Sequence, residues 1–168
     1  EGERYFHRDK FNEPNQYTFR LTSLHYYSNK DLFIESCEIM ERKLETTKKQ
    51  LINLTTGEES TILVEPHVNE NTYHFKFCGE NDTIGNVIQS HIVNKYTDKD
   101  SLINFCGYKK SHPLEEYIHM YVGLNSNHSV FDKGEEMKLN AIVKFMDDVL
   151  EDLISIYREI SKEAAKSL

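Results

Sequence analysis

Few residues in this chain are placed to do chemistry. The strongest candidate is the run Gly79-Glu80-Asn81-Asp82-Thr83-Ile84-Gly85-Asn86. A glycine ahead of a helix start has the right parts for holding a phosphate, because backbone N–H groups and the helix dipole converge there. Here Glu80 and Asp82 put negative charge where the phosphate would sit, and no Gly-Lys-Ser/Thr follows. The competing expectation is a capped helix whose Gly85 lets a neighbour approach closely. His112 has the chemistry of a general base, but no nucleophile or orienting acid stands beside it, so a polar contact within a turn is expected instead. Glu115 and Glu116 resemble an acid pair, yet adjacent strand residues point to opposite faces and do not share one site.

The remaining chemistry-bearing residues are scattered. Cys37, Cys78 and Cys106 lie far apart, each inside an apolar run, without a CxxC pair. An odd, unpatterned set reads as reduced core thiols of an intracellular protein and argues against structural zinc. The 8 histidines show neither His-x-His nor His-x-x-x-His spacing. The sequons at Asn53, Asn81 and Asn127 are read as chance, since no secretory signal accompanies them. With 28 acidic against 20 basic residues the chain carries a net charge of −8, so a basic phosphate-binding surface is not the default expectation. No window is apolar for long enough to cross a membrane. The chain opens on Glu1 rather than Met, and residues are expected ahead of it. No cofactor is expected.

Whatever the chain does must therefore come from how its elements are arranged. Residues 1–16 are polar and read as irregular. Tyr17–Ser23 alternates apolar and polar and reads as a half-buried strand. Ser28-Asn29-Lys30-Asp31 is a capping-box pattern ahead of a helix to about residue 52. Phe33, Cys37, Met40, Leu44 and Leu51 share one face of it, with Thr47 the polar member of the row. After a polar break at Thr56–Thr61, Thr61–Val64 reads as a short strand. Thr72–Cys78 alternates, with Tyr73, Phe75 and Phe77 on one face. Asp82 and Thr83 are the expected caps of a helix over about 84–95. Leu102–Tyr108 and Glu116–Leu124 are two more strands, joined by a turn through His112-Pro113, and Asn125–Lys133 is a loop.

The last helix, over 134–166, is the clearest local signal. Leu139, Ile142, Met146, Val149, Leu153, Ile156 and Ile160 step by 3 and 4 in turn. That is a coiled-coil-like seam, and a seam that narrow calls for another helix against it. The helices over 31–52 and 134–166 are expected to pack on each other. The first unit is short of strands for a core of its own, so it is expected to share a sheet or helix pair with the second.

A family resemblance joins these parts. The Gly-Glu-x-x-Thr-Ile-Gly-Asn helix start, followed by Phe105-Cys106-Gly107-Tyr108-Lys109-Lys110-Ser111-His112-Pro113-Leu114-Glu115, resembles the smaller α-like subunit of multisubunit RNA polymerases (subunit eleven of eukaryotic polymerase II, or archaeal subunit L). The likeness runs from about Thr72 to Leu168. One departure is the helix start: the family usually has Glu-Asp-His-Thr, whereas Glu80-Asn81-Asp82-Thr83 lacks the histidine, so no contact of that side chain is carried over. The front of the chain is similar to the C-terminal end of the larger α-like subunit (number three, or archaeal D). There a Pro-x-x-Tyr-x-Phe-x-x-x-Ser strand leads into a long closing helix, as Pro14–Ser23 and Asp31–Leu51 do here. Consecutive α-like tails in one chain resemble the fused arrangement of large cytoplasmic DNA viruses.

The resemblance implies an α+β chain of the α-like RNA polymerase dimerisation fold, a small antiparallel sheet with long packed helices. Residues 1–56 would be the end of the larger α-like subunit, 57–70 a linker and 71–168 the smaller subunit's dimerisation domain. It implies a non-catalytic assembly subunit whose partners are the large catalytic polymerase subunits and the remainder of the larger α-like subunit, with no sequence-specific nucleic acid and no membrane. Catalytic magnesium ligands belong to the largest subunit, and no Asp-x-Asp-x-Asp occurs here. The larger subunit's inserted domain, which holds zinc or iron–sulfur clusters in some relatives, is not expected within this chain. Phe105, Gly107, Tyr108, Lys109, Lys110, His112, Pro113, Leu114 and Glu115 are expected near the contact with a large subunit. Glu80, Thr83, Gly85 and Asn86 join the two apolar helix faces as expected packing positions. The implied location is intracellular: host cytoplasm or virion if the chain is viral, otherwise the nucleus. The rival from another class is a stand-alone α+β dimerisation module that binds a different regulator through its last helix.

Overall fold

A capping box starts the first long helix. In the computed structural model Ser28 Oγ accepts from the Asp31 N–H at 3.1 Å, and Asp31 Oδ2 accepts from the Ser28 N–H at 3.3 Å. The structure describes residues 7–8, 14–16, 18–24, 26–69, 71–97 and 101–167. The elements run β1 (His7–Arg8), β2 (Pro14–Gln16), α1 (Asn29–Thr56), β3 (Ile62–Pro66), β4 (Thr72–Cys78), α2 (Asp82–Lys95), β5 (Ile103–Lys109), β6 (Tyr117–Leu124) and α3 (Glu135–Ser167). Gly57, in the left-handed region at φ 77°, ends α1. Gln50 then steers the chain into β3, its carbonyl accepting from Ser60 Oγ at 2.7 Å and its side chain from the Thr61 N–H at 3.0 Å.

Strands β3 to β6 form one antiparallel sheet in the order β3-β4-β6-β5. Their alternation sorts side chains by face. Tyr73, Phe75 and Phe77 of β4, Ile118, Met120 and Val122 of β6, and Ile103 and Cys106 of β5 are buried in one core. The same core holds Leu44 and Leu51 of α1, Ile84, Ile88 and Ile92 of α2, and Ile142, Met146, Val149 and Leu153 of α3. All three helices thus share the core on one face of the sheet. The stretch 57–70, expected as a linker, supplies the edge strand β3.

The long helices pack as an antiparallel pair. Lys30 Nζ near the start of α1 donates to the Ala165 carbonyl near the end of α3 at 2.7 Å. Arg158 reaches Glu41 at 2.7 Å and Glu45 at 3.1 Å, and Lys48 reaches Glu151 at 2.6 Å. The helix partner expected for the seam is therefore α1. The buried face of α3 is wider than the seam, because α3 packs on α1 and α2 together: Val143, Leu150 and Ile154 are buried too. Leu139 and Ile156 are half-buried, while Ile160 is exposed. On α1, Cys37, Leu44, Thr47 and Leu51 are buried and Met40 half-buried, but Phe33 lies at the exposed end of its row.

Three local expectations need correction. Residues 18–24 form no strand, and Phe19 and Leu24 are 91% and 83% exposed. Alternation alone does not make a strand without a neighbouring ladder; Tyr17 lies outside the described residues. Within the front expected to be irregular, β1 pairs antiparallel with β2; the rest of that front lies outside the described residues. The cap of α2 is Asn81, whose Oδ1 accepts from the Thr83 N–H at 3.0 Å, rather than Asp82 or Thr83.

Candidate subunit interfaces

The two sequence motifs meet in space. A Cβ at Gly85 would stand 2.6 Å from the Tyr108 ring, so only glycine lets the first turn of α2 lie on the end of β5. The Tyr108 N–H, facing the sheet edge, donates to Gln89 Oε1 at 2.8 Å. Helix α2 thereby covers part of the free edge that β5 would otherwise expose. Glu80 pairs with Lys43 of α1 at 3.1 Å, tying the helix start to the long pair. Asn81 Oδ1 occupies the Thr83 N–H, and the Asn81 carbonyl accepts from the Gly85 N–H at 3.1 Å. The first turn is thus the capped, closely packed helix start and not an open anion cradle. Thr83 and Asn86 are exposed and take no part in packing within the chain; Asn86 accepts from Ser90 Oγ at 3.1 Å.

Past β5 the chain turns at His112–Glu115. The Glu115 N–H donates to the His112 carbonyl at 3.1 Å, with Pro113 in the second position that its fixed φ favours. His112 Nδ1 accepts from the Leu114 N–H at 3.1 Å, which is the turn contact expected of it. Pro113 and Leu114 are exposed, Lys109 is exposed, Lys110 and Gly107 are half-buried, and Phe105 is 54% exposed. Of the aromatic pair, Tyr108 packs against the core and Phe105 does not. A groove of about 660 Å³ separates this turn from α2, lined by Asp82, Gln89, Tyr108, Lys109, Lys110 and Pro113. Glu115 is half-buried, and its carboxylate pushes the Tyr117 hydroxyl up from the ordinary tyrosine value.

Two polar hubs were missed in the sequence. Asp152 of α3 accepts on Oδ2 from Lys95 Nζ, from His91 Nε2 at 2.6 Å and from the Tyr96 hydroxyl at 3.1 Å. These bonds, Lys95 first, hold its carboxyl below the usual aspartate range, and they pin α2 to α3. His91 and Lys95 stand four apart on α2, a spacing that puts both on one face and invites an acid opposite. At the start of α3, Glu135 accepts from the Tyr73 hydroxyl at 3.0 Å and from Lys138 Nζ at 3.3 Å. Burial and then Glu135 raise the Tyr73 hydroxyl, while the Tyr73 and Lys138 bonds lower Glu135. Lys138 also reaches Asn71 Oδ1 at 2.8 Å, in the turn that joins β3 to β4.

Among the described residues the buried thiols are not placed for chemistry. Cys37 and Cys106 are buried, and burial pushes the Cys106 thiol up to about 12, which leaves it unreactive at neutral pH. Among the described residues no group of three His, Cys, Asp or Glu side chains is arranged to hold a metal ion, and no helix is long and apolar enough to cross a membrane.

An antiparallel sheet with helices on one face, one of them long and closing, fits the α+β dimerisation fold that the resemblance implied. Residues 72–163, more than half of the chain, match the RNA polymerase Rpb3/Rpb11 dimerisation domain, and the chain belongs to that family. It is thus an α-like subunit domain of RNA polymerase, of the kind found in non-catalytic subunits that partner other polymerase subunits. A comparison with curated proteins found no match.

Proposed function

We propose that the chain is a non-catalytic assembly subunit of a DNA-dependent RNA polymerase, scaffolding the two large catalytic subunits. The antiparallel α1–α3 pair carries this reading. Family membership rests on residues 72–163, yet the buried face of α3 is completed by a helix outside that range. This supports residues 1–56 as the closing end of a larger α-like unit, placed ahead of the smaller one as in large cytoplasmic DNA viruses. The exposed Phe19, Leu21, Leu24 and Tyr27 support it further. Such a run of apolar side chains in water is an interaction surface, and the remainder of the larger α-like unit is its natural cover. The site of action is intracellular, the host cytoplasm or virion for a viral polymerase.

The edge from Phe105 to Glu115 is the proposed contact with a large subunit. Its turn is fixed by Pro113, and Lys109 and Lys110 supply steering charge on an acidic protein. The test is affinity purification from cells co-expressing the large subunits. The chain is expected to bring both down, and Lys109→Glu with Lys110→Glu to fold normally but recover less, with a larger deficit at low salt. Unchanged recovery with the double variant would remove this edge from the interface. Capture of an unrelated regulator in place of the large subunits would overturn the polymerase reading.

A further inference from the structure

The face of the sheet turned away from the helices carries a pattern of its own, set by register. One row crosses it as Leu63, Lys76, His119 and Lys109. The next is Glu65, His74, Tyr121 and Gly107, and the third is Thr72, Gly123 and Phe105. Directly paired residues share a face, so these rows are neighbours on one surface. Two rows contain a glycine, and the side chain of Phe105 lies over both, sharing the space at Gly123 with Asn104 Oδ1, 2.8 Å from where a Cβ would stand. Its ring tip lies 3.0 Å from where a Cβ would stand at Gly107, and its own Cβ lies 3.3 Å from that point at Gly123. The ring therefore lies along the sheet, with 54% of the residue still exposed.

Around that ring is a cavity of about 450 Å³, walled by Tyr121 and His67 and rimmed by Lys109. Tyr121 is held upright by a stacked His74 at 5.0 Å and an edge-on His67 at 5.1 Å between ring centroids, and Lys109 Nζ lies 5.5 Å from its ring centroid. His74 Nε2 and His119 Nδ1 share a hydrogen bond at 2.7 Å, which fixes both rings. The charge of the rows is opposite to that of the chain. Lys76 and Lys109 outnumber the one carboxylate of the rows, Glu65, on a chain whose net charge is −8. Burial, then His74 and Lys109, hold the His119 imidazole below its ordinary value, with Glu115 acting the other way.

We infer that this groove docks an acidic peptide segment of a partner protein through one aromatic anchor seated on Phe105. The flat, exposed ring offers a stacking face, the cavity has room for one large side chain, and the flanking cations complement carboxylates. Single-stranded nucleic acid fits less well. It asks for a track of successive platforms and a positive field, whereas here one ring is offered on an acidic chain. The inference rests on the proposed assembly function and names the chemistry of one of its partners.

The test is selection of a displayed random decapeptide library on the immobilised full chain, with counter-selection on the Phe105→Ala, Lys109→Glu variant. Both side chains are exposed, so the variant is expected to fold. Selected peptides are expected to be rich in Asp and Glu around one aromatic residue, and to bind the variant at least about fivefold more weakly. Enrichment that is equal on the variant, or that favours basic peptides, would overturn the inference. So would oligothymidylate binding at the same residues with no acidic peptide recovered. Co-purification of the large subunits separates the two levels. If Phe105→Ala retains them and no acidic peptide is selected, the groove falls and the assembly function stands. If acidic peptides are selected but the parent chain recovers no large subunit, the reverse holds.

Discussion

Two stretches of this chain carry the same alternating pattern and meet opposite fates. In β4, Tyr73, Phe75 and Phe77 point into one core and are almost wholly buried. Between Thr18 and Leu24, Phe19 and Leu21 alternate in the same way and remain in water. Local composition does not separate them. Strand β4 has a neighbour on each side and helices across one face, whereas residues 18–24 join no sheet among the described residues. Burial of an aromatic side chain stabilises by about 1.5–3 kcal/mol only when something is there to cover it. The matched region shares one core with α1, whereas Phe19 and Leu24 ahead of α1 stay exposed.

The largest effect expected from breaking the closed region is at the helix seam. Val149→Asp places an unpaired carboxylate at a fully buried position and is expected to cost about 3–5 kcal/mol, read by chemical denaturation. A variant that unfolds like the parent would show that α3 is not covered by α1. Gly85→Ala is expected to cost about 1–3 kcal/mol, because its Cβ meets the Tyr108 ring, even though alanine favours helix by about 1 kcal/mol. In a Tyr108→Ala background the same change is expected to lose most of that cost, and a cost that persists would place the strain elsewhere.

Acid should loosen α2 from α3 more gently. Because Asp152 is held below its ordinary value in the fold, its contribution is complete well above about pH 3.9 and is lost as pH falls through and below that value. Asp152→Asn is expected to flatten that part of a stability–pH curve; an unaltered slope would assign it to other carboxylates. The smallest effect lies at the front. Phe19→Ser with Leu24→Ser is expected to shift the stability of the isolated chain by no more than about 0.5 kcal/mol, since neither side chain is covered. A loss as large as that of Val149→Asp would mean that the front is packed in solution, and the contrast between the regions would collapse.

The legible features were those that local chemistry decides. Ser28 with Asp31 marked the start of α1, the alternation of Thr72–Cys78 matched β4 at both ends, and the apolar steps of α3 called for the helix that α1 provides. The close approach at Gly85 was also readable, because a glycine in an otherwise apolar helix start needs a packing reason. What could not be read depends on pairing between distant residues. The Asp152 hub needs α2 to face α3, and the open-face rows need the register of four strands. The width of the buried face on α3 follows from packing on two helices at once, which a heptad count does not contain. The strand expected at 17–23 shows the converse error: the pattern was present, and over 18–23 no partner strand lies among the described residues.

The most direct test of the assembly function is native mass spectrometry of material purified through an affinity tag on this chain from its polymerase-producing cells. A complex containing both large catalytic subunits and one copy of the chain is the predicted result. Recovery of the tagged chain free of either large subunit, under conditions where those subunits are present and folded, would contradict it.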